Sequence, residues 1–171
     1  MCKILYAIRC TPLLYVVKEH RLRNQGQNDM KKAVKVYLAG GMRSGWQDKV
    51  MSAVRERLPN VPLIFLDPRQ NGTSSESTYT AWDMDAVEIS DVLFGYLEAD
   101  NLAGQGLCVE FGQAEGMRRA GHPKKHIIFV CEPEHPKYRY FGMARECADT
   151  VTDSLDKGID LFIEFLLQST Y

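Results

Sequence analysis

The 171-residue chain lacks most of the patterns that assign a chemistry at once. Its five cysteines, Cys2, Cys10, Cys108, Cys131 and Cys147, are scattered, odd in number and include no C-x-x-C pair. That argues against a disulfide framework and a zinc site, and for reduced thiols in the cytoplasm. The histidines His20, His122, His126 and His135 show no metal-ligand spacing, so no metal is expected. His122 and His126 flank a lysine pair and read as solvated loop residues. No apolar run approaches the roughly 20 residues of a membrane span, which excludes a membrane partner. Residues 3 to 17 are interrupted by Lys3, Arg9 and Pro12 and do not read as a signal peptide. Charge of one sign is also missing: 21 Lys and Arg face 22 Asp and Glu, a net charge of -1. Nothing there attracts a nucleic acid polymer. There is no G-x-G-x-x-G fingerprint and no P-loop, so neither NAD nor ATP is predicted. Internal repeats and low-complexity tracts are absent as well.

What remains is an ordinary globular composition, 45% apolar and 25% charged, enough for one core. Residues 1–33 stand apart as an N-terminal extension. Cys2 to Val17 reads as an extra strand or a short helix, and Lys18 to Lys32 as a polar linker. The segment is expected either to be partly disordered or to add an edge strand. Residues 34–171 form the main domain. Apolar runs predict strands at Val34 to Ala39, Pro62 to Leu66, Asp91 to Leu97 and His126 to Cys131, with a fifth short one at Thr150 to Val151. Helical spacing predicts helices at Trp46 to Leu58, Tyr79 to Ser90, after Gly106, and from Ser154 to Gln168. Gln70 to Ser77, rich in Gly, Ser, Thr and Asn, reads as a mobile loop, and Glu132 to Lys137 as a second loop. The small residues Cys108, Gly112 and Gly116 recur at helical spacing and suggest a helix face lying close on a sheet. Apolar strands alternating with helices predict an α/β fold with a central parallel sheet covered on both faces.

Such a sheet binds ligands beyond the carboxyl ends of its strands, which directs attention to the loops there. Gly104-Gln105-Gly106-Leu107-Cys108-Val109-Glu110-Phe111-Gly112 follows a strand and opens a helix. Glu110 falls in the first turns, where free N–H groups and the helix dipole favour an ionised carboxylate. Such a group either serves as a nucleophile toward a sugar carbon or only complements the dipole. Gly40, Gly41, Met42, Arg43 and Ser44 form a strand-to-helix turn that admits close backbone approach and offers an anion site, or is a plain turn. Tyr37 lies within the strand. Asp67-Pro68-Arg69 either holds a ligand or stops a strand. Asp83 and Asp85 point in different directions on one helix, so one faces the pocket. Asp91 reads as a structural cap. Asp100 and Asn101 precede Glu110 and are placed to reach a sugar hydroxyl.

In order and spacing these residues resemble the nucleoside 2-deoxyribosyltransferase family, in its nucleoside 2-deoxyribosyltransferase-like branch. The resemblance covers Val34 to Val130. It is carried by Val36-Tyr37-Leu38-Ala39-Gly40-Gly41, Asp67-Pro68-Arg69, Trp82-Asp83, Asp91 and Gly104-x-Gly106-x-x-x-Glu110-x-Gly112. It implies a flavodoxin-like, Rossmann-like three-layer sandwich. It also implies a homodimer or larger homo-oligomer, and a small-molecule deoxynucleoside or deoxynucleotide substrate handled without metal or organic cofactor. By the same resemblance Glu110 is the nucleophile that attacks the anomeric carbon, Asp83 protonates the leaving base and Tyr37 orients the nucleophile. Asp100 or Asn101 would hold the sugar hydroxyls, while Trp82, Asp67, Arg69, Gly104 and Gly106 join the turn at residues 40–44 in binding. Three functions are compatible: 2-deoxyribosyl transfer between nucleobases, hydrolysis of 2'-deoxynucleoside 5'-monophosphates, and a catalytically silent nucleotide-binding module. The hydrolytic reading rests on Arg43-Ser44 as a phosphate site.

Overall fold

In the computed structural model the described residues are 32–71, 75–101, 104–123 and 125–169. The expectations for residues 1–33 lie outside these, save for its last two positions. The described chain alternates strand and helix: β1 (Val34–Gly40), α1 (Trp46–Arg57), β2 (Leu63–Leu66), α2 (Glu76–Ile89), β3 (Val92–Leu97), α3 (Gln105–Arg119), β4 (His126–Cys131), α4 (Gly142–Cys147), β5 (Thr150–Thr152) and α5 (Leu155–Gln168). The strands form one parallel sheet in the order β2-β1-β3-β4-β5. That is the flavodoxin-like order, with α-helices on both faces.

The strand periodicity of two decides which layer each side chain joins. Val34, Val36 and Leu38 of β1 face a cluster completed by Trp46, Val50 and Val54 of α1 and Ile159, Phe162 and Leu166 of α5. Tyr37 and Ala39 face the opposite cluster, with Ala86 and Val87 of α2, Leu107, Phe111 and Ala114 of α3, and Ala144 of α4. All six residues of β3 are buried, which explains their continuous apolar run.

Three expectations change. The second helix begins at Glu76, earlier than Tyr79, because Ser75 caps it by accepting a hydrogen bond from the Thr78 N–H. The stretch read as a loop from Gln70 to Ser77 thus supplies a helix start, and Pro68–Asn71 is a 3₁₀ turn. The helix Gly142–Cys147 was not expected at all. Finally, Cys108, Gly112 and Gly116 are exposed and point away from the sheet, and a Cβ on Gly112 or Gly116 would meet nothing within 4 Å. The close-packed face belongs to Leu107, Phe111 and Ala114, whose burial outweighs any benefit from a glycine contact.

Candidate active site

The order in which strands are added to the sheet reverses between β1 and β3, and the two loops leaving their carboxyl ends part to form a cleft. β1 ends at Gly40, whose φ of 142° and contact with the Tyr96 carbonyl admit only glycine. The next carbonyl, Gly41 O, accepts from Trp46 Nε1 at 2.7 Å and from Gln47 Nε2 at 2.9 Å. On the other side, His135 is 2% exposed and its Nδ1 accepts from the Lys137 N–H at 3.1 Å. Nε2 therefore carries the proton and donates to the Asn101 carbonyl at 2.8 Å, which holds that loop in place. Gly104, with φ 107°, then turns the chain into α3; a Cβ there would press on Leu97 and Phe141.

The cleft has a volume of about 1010 Å³. Of the residues singled out from sequence, Gly40, Gly41, Met42, Arg43, Ser44, Asp83, Asp100, Asn101, Gly104, Gly106 and Glu110 line it. Tyr37 lies behind the wall, fully buried, and its hydroxyl donates to Glu110 Oε1 at 2.8 Å. Three expected binding residues stand elsewhere. Trp82 packs its ring against Tyr37, centroids 6.3 Å apart, and is not on the lining. Asp67 is 2% exposed and grips Arg69 through the backbone N–H at 2.9 Å and the guanidinium at 2.7 Å. Arg69 also bridges to both Asp48 oxygens, at 2.8 and 2.7 Å. The polar capacity of this pair is spent within the protein, tying β2 to α1.

Tyr79, Glu98 and Leu107 also line the cleft and were not picked from sequence. Glu98 had a signal, since it follows β3 directly, where the carboxyl-end rule looks for ligands. Gln113 was missed as well: one turn on from Glu110, its Nε2 donates to the Met84 carbonyl at 3.0 Å and ties α3 to α2 beside Asp83.

The electrostatics of the cleft are set by burial. Glu110 is 7% exposed, sits in the second turn of α3, and its Oε2 is buried with no hydrogen-bond partner. Desolvation pushes its pKa up to about 7, with the nearby Asp83 adding to the rise and the Tyr37 hydrogen bond opposing it. This corrects the expectation of a carboxylate kept ionised by the helix dipole, which fades beyond the first turn. Burial also raises the Asp83 pKa, with the nearby Tyr37 hydroxyl opposing the rise, and Asp83 Oδ1 too is buried without a partner. The Tyr37 phenol is driven far up by burial and the two carboxyls, so it stays protonated and its one proton goes to Glu110 Oε1. Among the described residues no group of three or more His, Cys, Asp or Glu side chains is placed to hold a metal ion. No helix among them is long and apolar enough to cross a membrane.

No family model matches the chain, and the comparison with curated proteins gives no match. Solved structures do match. The CMP N-glycosidase of Clostridium botulinum superposes with a TM-score of 0.51 at 16% identity, covering 77% of this chain and 98% of its own. The 2-desoxiribosyltransferase of Leishmania mexicana gives a TM-score of 0.51 at 16% identity, covering 77% of this chain and 97% of its own. Both share the fold of this chain. At that identity the likeness is one of fold.

Proposed function

We propose that the protein cleaves the N-glycosidic bond of a 2'-deoxynucleoside and transfers the 2-deoxyribosyl group to a second nucleobase. The observation that carries this reading is the buried, unpartnered Glu110 Oε2, held in one cleft with Asp83 while Tyr37 secures the other oxygen. A buried oxygen without a partner is costly, and one that belongs to the lining of a cleft is free to meet a ligand there. The two solved structures of the same fold carry names of enzymes of N-glycosidic chemistry, which supports the choice of bond.

In the proposed reaction Glu110 Oε2 forms a bond to the anomeric carbon as the bond from that carbon to the base nitrogen breaks. Asp83 gives its proton to the departing base, which leaves neutral. Tyr37 donates throughout to Oε1 and steadies the negative charge on Glu110. The nitrogen of the second base then attacks the same carbon, Glu110 departs as carboxylate, and the proton returns to Asp83. Both carboxyl pKa values are raised, so the pair retains a proton at a pH where isolated carboxylic acids are ionised. One proton shared between the two is what the first step requires. Asp100 and Asn101 supply polar contacts for sugar hydroxyls from the facing loop.

Incubating the protein with a 2'-deoxynucleoside and a different free base, followed by chromatography, tests this. A new nucleoside is expected. Free base without a new nucleoside would replace transfer by hydrolysis, and neither product would leave a binding module. Glu110→Ala is expected to abolish base release with the circular dichroism unchanged; undiminished turnover would remove Glu110 from the mechanism.

A further inference from the structure

The turn between β1 and α1 is the natural place for a phosphate, because the first N–H groups of α1 point into it. The protein fills that place from within. The Trp46 N–H is directed at the Ser44 hydroxyl oxygen, 3.4 Å away. The same hydroxyl lies close enough to the Glu98 carboxyl to favour its charged form. Glu98 is 8% exposed, and its Oε2 lies over Gly41, 3.0 Å from where a Cβ would stand. Burial raises the Glu98 pKa, Ser44 opposes the rise, and the negative charges of Asp100 and Glu132 add to it. Arg43, the cation of the turn, is exposed, so water screens it more than it screens the buried carboxyl.

We infer that Glu98 is a specificity-determining residue that keeps a 5'-phosphate out of the cleft and selects the unphosphorylated 2'-deoxynucleoside. A 5'-hydroxyl has a proton to donate to Glu98. A phosphate dianion has none and meets like charge at close range. The inference rests on the proposed function for the kind of ligand.

The test is calorimetric binding to the full chain of 2'-deoxyadenosine, 2'-deoxycytidine and their 5'-monophosphates, with base release followed in parallel. The wild type is expected to bind a nucleoside at least tenfold more tightly than its monophosphate. Glu98→Gln should narrow that ratio tenfold or more. Asp100→Asn, at an exposed position, should narrow it less but in the same direction, and it serves if the buried variant does not fold. A wild type that prefers the monophosphate, or a ratio unmoved by both variants, would overturn the inference. Selective nucleoside binding without base release would overturn the proposed reaction and leave the role of Glu98 standing. Binding of none of the four compounds would overturn both.

Discussion

A carboxyl buried to the extent of Glu110 holds its proton more tightly in the folded protein than in the unfolded chain. Its pKa rises from 4.5 to about 7 on folding. Folding is therefore undisturbed by this group below about pH 4.5, and stability falls as pH climbs through the window up to about 7. The loss on full ionisation is roughly 3 kcal/mol, at about 1.36 kcal/mol per pKa unit. Glu110→Gln keeps an acceptor for Tyr37 and never ionises. It is expected to melt at a higher temperature than the wild type at pH 8, with the difference shrinking toward pH 5, while losing base release. Thermal unfolding at the two pH values checks this, and a gap independent of pH would contradict the account. The same residue shows what sequence can convey at this scale. A glutamate following Gly104-x-Gly106 at the rim of a parallel sheet is legible as a candidate. Its proton affinity is not, because that depends first on burial by the packed elements, then on Tyr37 and Asp83, which are distant in the chain.

At the scale of elements, the helix that carries Glu110 is positioned by Phe111. Its ring lies against Gly95 of β3 and edge-on to Phe129 of β4, centroids 5.0 Å apart. A methyl group at Gly95 would collide with that ring. Gly95→Ala should cost about 1–3 kcal/mol by overpacking and reduce base release, since α3 must shift away from Tyr37. Gly112→Ala, on the open side of the same helix, should raise stability by up to about 1 kcal/mol and leave turnover alone. Denaturant titration and turnover of both variants check the pair. The contrast also explains a misreading. Cys108, Gly112 and Gly116 share a helix face, but periodicity alone does not say whether that face is inward. Leu107, Phe111 and Ala114 do, because burying large apolar groups decides how a helix rolls on a sheet. The strands were legible for the same reason, whereas α4 has only six residues and too little periodicity to declare itself.

For the molecule as a whole, the sheet order gathers into one cleft residues that the chain keeps far apart. The strand-and-helix alternation foretold the rim at Gly40 to Ser44 and at Asp100, Asn101, Gly104 and Gly106. It did not foretell Tyr79 or His135, whose neighbours come from packing between elements distant in sequence. The layered core also grades the cysteines: Cys108 is exposed, Cys147 half-buried and Cys131 buried in β4. Alkylation followed by peptide mass spectrometry should modify Cys108 at once and Cys131 only as fast as the core opens. Rapid labelling of Cys131 under native conditions would contradict this packing. The clamp on Gly41 has a consequence of another kind. With an indole and a carboxamide both donating to it, that peptide plane is unable to swing, so an arriving ligand meets a wall already in its final shape. The ordering of that wall is completed when the chain folds, and encounters are left to select only ligands that match it.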